Sequence, residues 1–210
     1  VGFGGSITQM AAASSVADSY SSLVADWLRE QFPGITVNYF NAGIGSTTSD
    51  LGLARMQAQV LDHDPDLVIV DFTTNDQDRQ QYAYTYEAII RKLIENNVAT
   101  MAIMFGPVVS AEYNPSKQAY DKSISDPEIE DLDPDTVICK RAGNRTDLHL
   151  PSLLYYDVPV IDYYGAMWDY LDSNGDGVSN SDDFAQWTAL WGDYIHPNNQ
   201  GHKLAANAVN

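Results

Sequence analysis

Cysteine is nearly absent: Cys139 stands alone in 210 residues. An internal disulfide is therefore excluded, no second thiol offers metal-ligand spacing, and cysteine leaves the compartment open. Positive charge is also scarce, with 11 Lys and Arg against 29 Asp and Glu and a formal net charge of −18. Such a surface repels phosphate backbones and anionic membranes, which argues against nucleic-acid or membrane-surface partners and suits a highly soluble protein. No apolar run approaches the roughly 20 residues needed to span a bilayer. No signal-peptide pattern precedes Val1, which opens inside a strand-like run, so the sequence reads as a mature or excised fragment. Histidine is limited to His63, His149, His196 and His202, which narrows the choice of a general base.

What is present is a globular composition, 44% hydrophobic and 19% charged, long enough for one domain with a full core. Short β-branched runs alternate with amphipathic stretches. Strands are expected at Val1–Gly5, Ile35–Phe40, Asp66–Phe72, Val98–Phe105 and Val158–Ile161. Helices are expected at Ser14–Gln31, Leu51–Leu61, Tyr84–Asn96 and Asn198–Val209. Near-continuous apolar strands separated by helices imply a parallel sheet covered on both faces. The expected fold is a three-layer α/β/α sandwich, flavodoxin-like, with about five parallel strands, in a single domain over 1–210.

Two segments break that rhythm. Residues 106–156 carry Pro107, Pro115, Pro127, Pro134 and Pro151 around an acidic stretch from Asp121 to Asp135. Their length is open to two readings, a lid over the active-site end of the sheet or a solvated insertion with some helix. The second segment, residues 172–183, reads as a calcium loop.

Four short blocks fall at the carboxyl ends of strands or just before the last helix, where open parallel sheets bind ligands. They are Gly4-Gly5-Ser6-Ile7-Thr8, Asn41-Ala42-Gly43-Ile44-Gly45-Ser46-Thr47, Thr73-Thr74-Asn75-Asp76 and Asp193-Tyr194-Ile195-His196-Pro197. A serine on a glycine-flanked turn is exposed, but its hydroxyl is a poor nucleophile until an imidazole takes its proton. Asp193 and His196 lie close enough for the carboxylate to orient the ring. An oxyanion would need donors, and the candidates are the Ser6 N–H, a backbone N–H at Gly45 or Ser46, and the Asn75 side-chain amide.

In this order the blocks resemble those of the SGNH/GDSL hydrolases over nearly the whole chain, from Gly4 to His202. The GGSIT form is similar to a branch containing carbohydrate esterases. The resemblance implies Ser6 as nucleophile, Gly45 and Asn75 in the oxyanion hole, and Asp193 and His196 completing the triad. Three departures stand out. The usual GDS reads Gly4-Gly5-Ser6, the usual GxND reads Thr73-Thr74-Asn75-Asp76, and the second-block glycine aligns with either Gly45 or Ser46.

Around these residues the roles are lesser. His63 reads as solvated and His202 as packing or capping. His149 reads as packing, with substrate contact as the alternative. Asp76 is expected to support its turn. Arg55 is a candidate substrate-binding residue, with loop orientation and a surface ion pair as alternatives. Among the late aromatics Tyr163, Tyr164, Trp168, Trp187 and Trp191, core packing is the general reading and Trp191 is the candidate substrate contact.

From Asp172 to Asp183 oxygen-bearing side chains recur at positions 1, 3, 5, 9 and 12 of a 12-residue calcium loop. Asp172, Asn174, Asp176, Asn180 and Asp183 supply them, Val178 offers its carbonyl at position 7, and Gly177 makes the turn. Aspartate instead of glutamate at position 12 weakens the expected affinity. The loop resembles one dockerin repeat, and a dockerin has two, so cohesin binding is not implied.

The expected activity is hydrolysis of acyl esters, acetyl above all, of a carbohydrate or similar alcohol through an acyl-enzyme. The substrate would be a small-molecule or polysaccharide ester. Calcium would be structural, catalysis would need no cofactor, and the location would be secreted or extracellular. The alternatives are a lipase or thioesterase for longer chains, and a non-catalytic calcium-dependent carbohydrate-binding module.

Overall fold

The apolar runs assemble as one parallel sheet. The computed structural model describes residues 1–76, 79–105, 112–114, 119–121, 143–163, 166–167, 189–192 and 196–209, with backbone alone at 112–114, 119–121 and 143–147. Strands β1 (Gly2–Gly4), β2 (Asn41–Gly43), β3 (Leu67–Asp71), β4 (Ala99–Met104) and β7 (Val160–Asp162) line up in the order β2-β1-β3-β4-β7, and every pairing is parallel. Strands β5 (Glu112–Asn114) and β6 (Ala119–Asp121) form a separate antiparallel pair.

Helices cover both faces. Successive residues of a strand point to opposite sides, and β3 does so: Val68 and Val70 enter one core while Ile69 enters the other. The first core gathers Phe3, Met56, Phe72, Tyr86, Ile89, Ile90 and Leu93, under α3 (Ser49–Gln59), α4 (Gln80–Glu95) and α5 (Gly143–Tyr155). The second gathers Ile7, Tyr20, Val24, Ile103, Phe105 and Ile161, under α2 (Tyr20–Gln31) and α6 (Asn199–Asn207). This is the expected three-layer architecture.

One expectation needs correction. The alternating run Ile35–Phe40 is not a strand, because the register places Gly2 of the short β1 opposite Asn41, and pairing is confined to Asn41–Gly43. Upstream of it, Ile35 remains 61% exposed, Arg29 donates to the Val37 carbonyl, and the Tyr39 hydroxyl bonds Ser21. Within the segment 106–156, where some helix is one reading, part of the chain is helical. Residues 143–155 form α5, which buries Leu153 against α4 and serves as the crossover between β4 and β7.

The strand order reverses between β1 and β3, so the crevice of this sheet opens at their carboxyl ends. Directly after β1 comes α1 (Ser6–Gln9), a single turn held close to β2. Asn41 fixes that approach by donating to the Thr8 carbonyl at 2.8 Å, and Gly43 permits it, since a Cβ there would overlap the backbone of Thr8 and Gln9. Gly43→Ala should therefore destabilise the fold by about 1–3 kcal/mol, read as a lowered denaturation midpoint at unchanged m-value. Wild-type stability in that variant would refute the close approach.

Candidate active site

The Ser6 hydroxyl, half-buried at the start of α1, lies 2.9 Å from Nε2 of His196. The two are 190 residues apart in sequence, so the tertiary fold makes this contact. His196 is fixed by its neighbours. Trp191 and Pro197 form an isolated antiparallel bridge, Gly192 N–H donates to the His196 carbonyl at 2.9 Å, and Asn198 N–H donates to Leu190 at 2.9 Å. Asn198 then caps α6, its side chain accepting from the N–H groups of Gln200 and Gly201. Asp193 lies outside the described residues.

The second and third blocks close on Ser6 from either side. A Cβ on Gly45 would sit 3.8 Å from that of Ser6, so the glycine borders Ser6. Ser46 holds a left-handed φ of 59° and turns the chain away. Asn75 donates one side-chain N–H to the Thr47 carbonyl at 2.9 Å, which orients the amide and leaves its second N–H for another acceptor. Gly5 gives Asn75 its room: a Cβ there would overlap Asn75 Nδ2.

Arg55 lashes these blocks together. Its guanidinium donates to the carbonyls of Ala42 at 2.6 Å and Gly4 at 2.8 Å, and lies 4.8 Å above the Phe3 ring. Burial lowers its pKa to about 10, still far above neutrality. These bonds hold strand ends together, as the loop-orienting alternative requires. Trp191 also makes contacts within the protein. Only 6% exposed, it packs in the core near Tyr163, with ring centroids 6.5 Å apart.

Sequence reasoning missed two buried polar clusters beneath the site. In the first, Asp76 Oδ1 accepts the Ser49 N–H at 2.7 Å while Oδ2 lies 2.8 Å from His149 Nε2. His149 is wholly buried and stacks on Tyr86 with centroids 3.8 Å apart, so its substrate-contact alternative falls. The Asp76 side chain ties its turn to α3 and α5. No local signal joins residues 73 positions apart.

In the second cluster, Thr8 donates to Asp71 Oδ2 at 3.0 Å, leaving the Tyr20 hydroxyl to donate to Thr8 at 2.9 Å. An acid ending the buried run DLVIVDF was the available signal. Asp71 also accepts the Gly5 N–H through its carbonyl. His202 accepts the Tyr20 N–H at Nδ1 and bonds the Ala11 carbonyl through Nε2, which fixes a neutral tautomer. Burial lowers its pKa to about 4, so His202 packs, as expected. Among the described residues no three His, Cys, Asp or Glu side chains are placed to hold a metal, and the loop at 172–183 lies outside them. Tyr164, Trp168, Trp187 and Cys139 lie outside them too.

Comparison with known proteins agrees with this geometry. The profile of the GDSL-like lipase/acylhydrolase family matches residues 3–204. The chain belongs to that family. This GDSL-like chain is similar in structure to a two-domain esterase active on acetylated mannans, at 26% identity and a TM-score of 0.69. That match covers 99% of this chain and 46% of the other, so the chain spans about half its relative's length. An acetyl xylan esterase, AlAXEase, shares the fold at 18% identity and a TM-score of 0.67, covering 99% of this chain and 96% of that one. The psychrotrophic esterase EstA from Pseudoalteromonas sp. shares it at 14% identity and a TM-score of 0.63, covering 99% and 92%. A search of the curated proteins found no match.

Asp71 gives the GDSL-like site a testable electrostatic feature. Burial raises its carboxyl from 3.8 to about 7, opposed by the Thr8 hydrogen bond and reinforced by the Asp76 charge. Below both values the carboxyl is protonated in folded and unfolded chains alike. As pH rises through about 7 the unfolded chain ionises first, so this contribution to stability is lost. Asp71→Asn removes the titration. Its unfolding free energy relative to wild type should rise between about pH 4 and 7, by up to about 4 kcal/mol, and then level off. A constant offset in denaturant melts across that range would show that Asp71 titrates normally.

Proposed function

We propose that this GDSL-like protein is a serine esterase that removes small acyl groups, acetyl above all, from a carbohydrate. The 2.9 Å contact between Ser6 Oγ and His196 Nε2 at the crevice of the sheet carries the reading. The hydroxyl donates to Nε2, so a proton acceptor is in place when Oγ attacks the ester carbonyl carbon. The carbonyl π pair moves onto oxygen, and the Ser6 N–H, Gly45 N–H and Asn75 amide are the donors for that oxyanion. The tetrahedral species collapses, the alcohol leaves with the proton from His196, and an acyl-serine remains. Water then attacks the acyl carbon, loses its proton to His196, and releases the acid and free Ser6. Asp193, three residues before His196, is assigned by spacing to hold the ring and stabilise its protonated form.

Acetyl specificity on a polysaccharide is supported by the mannan-active and xylan-active esterases that share the fold. A polysaccharide substrate also fits an extracellular location. The assembled Ser6–His196 pair argues against a purely binding module.

Ser6→Ala should lower kcat by on the order of 10³ or more at unchanged melting temperature. Asn75→Ala should cost about 10²–10³, chiefly in kcat, because its bond strengthens at the transition state. The assay is turnover of p-nitrophenyl acetate, with longer chains and acetylated mannan or xylan alongside. Half-maximal activity in a folded Ser6→Ala protein would refute the nucleophile, and a preference for long chains would refute the acetyl reading.

Calcium at Asp172, Asn174, Asp176, Val178, Asn180 and Asp183 is a further part of the proposal and rests on oxygen spacing. Bound only to the folded chain, it would stabilise by about 2.7 kcal/mol at 100 times Kd. Chelation and Asp172→Ala should each lower the melting temperature, and added calcium should restore it after chelation alone. Identical melts with and without chelator, in protein that retains no metal, would leave an ordinary acidic turn.

A further inference from the structure

Gly45 borders Ser6, yet its N–H is already engaged. It donates at 2.8 Å to Oε1 of Gln9, the last residue of α1, three positions after Ser6. The Gln9 side chain is exposed, while its backbone N–H is fixed to the Gly5 carbonyl at 3.0 Å. Only the side chain is placed to move. Asn75 stands in contrast on the other side of Ser6. Its bond to Thr47 takes one of two amide hydrogens, so orientation does not consume the donor. A backbone N–H has one hydrogen, and whatever accepts it excludes another acceptor.

We propose that Gln9 is a gating residue of the oxyanion hole: its amide oxygen occupies the Gly45 N–H in the resting enzyme and is displaced by the developing oxyanion. This deepens the esterase reading and rests on it. A neutral ester carbonyl is no better an acceptor than a neutral amide oxygen, so it does not readily displace Gln9. An oxyanion forms charge-assisted hydrogen bonds roughly twice as strong as neutral ones and wins the exchange. Gln9 therefore withholds one donor from ground-state esters and yields it as charge develops, with one neutral hydrogen bond lost on the way to the transition state. Removing the competitor should make the hole easier to fill.

Gln9→Met keeps chain length and helix propensity while removing the strong acceptor. Gln9→Glu keeps an acceptor and adds a negative charge beside the hole. Gln9→Met should raise kcat/KM for p-nitrophenyl acetate by about two- to tenfold, the worth of one neutral hydrogen bond. Inactivation by a p-nitrophenyl alkylphosphonate, which also builds a tetrahedral oxyanion on Ser6, should speed up by a similar factor. Gln9→Glu should slow both reactions. A support role for Gln9 predicts the reverse for Gln9→Met, so unchanged or lower kcat/KM in that variant overturns the proposal. Hydrogen exchange of the Gly45 amide, followed by NMR, tests the contact without turnover. Faster exchange in Gln9→Met supports it and an unchanged rate overturns it. A wild type that hydrolyses no ester but shows this exchange difference would refute the esterase reading and keep the contact.

Discussion

The site depends on a strand of three residues held between two neighbours. Gly2, Phe3 and Gly4 pair with Asn41–Gly43 on one side and with Ile69–Asp71 on the other. That double pairing brings three blocks, distant in sequence, to one edge of the sheet. Phe3 secures the strand from below by meeting Phe72 edge-on at 5.2 Å. Arg55 secures it at the end by joining the carbonyls of Gly4 and Ala42. Ser6 is only half-buried because the chain must turn where that strand stops.

Behind the edge, the polar groups are arranged to keep loops at fixed separations. Asn75 and Asp76 are consecutive, and both reach the segment entering α3, through Thr47 and Ser49. The third block is thereby stitched to the second, so Gly45 and Asn75 belong to two loops that are bonded to each other. The Asp76–His149 contact extends the same stitch to α5. Buried polar groups of this kind are destabilising unless bonded, and the chain places them where loop spacing matters.

Long periodic segments are legible in the amino-acid sequence alone. β3 and α4 lie where apolar periodicity puts them, and Ser6, Asn75 and His196 fall where strand-end chemistry expects them. Ile35–Phe40 misleads because alternation reports which side chains suit a sheet and not which backbone finds a partner. Trp191 is placed in the core although it lies two residues before the last block in sequence. Gln9 and His149 are opaque for another reason. Their partners lie 36 and 73 residues away, and glutamine on a first helical turn has no pattern that names its acceptor or donor.

The span of the Ser6–His196 contact has a kinetic meaning. Its partners come from the first and last helical regions of the chain, and the ends are joined again by Ser14 with Asn199 and by Ala11 with His202. Contacts of such sequence separation form late, after the closure entropy of the intervening chain has been met. A partly folded chain that has built β3, α4 and β4 but not docked α6 would hold the serine without its base. The pairing of Ser6 with His196 therefore waits on the docking of the last helix, where the two ends of the fold meet.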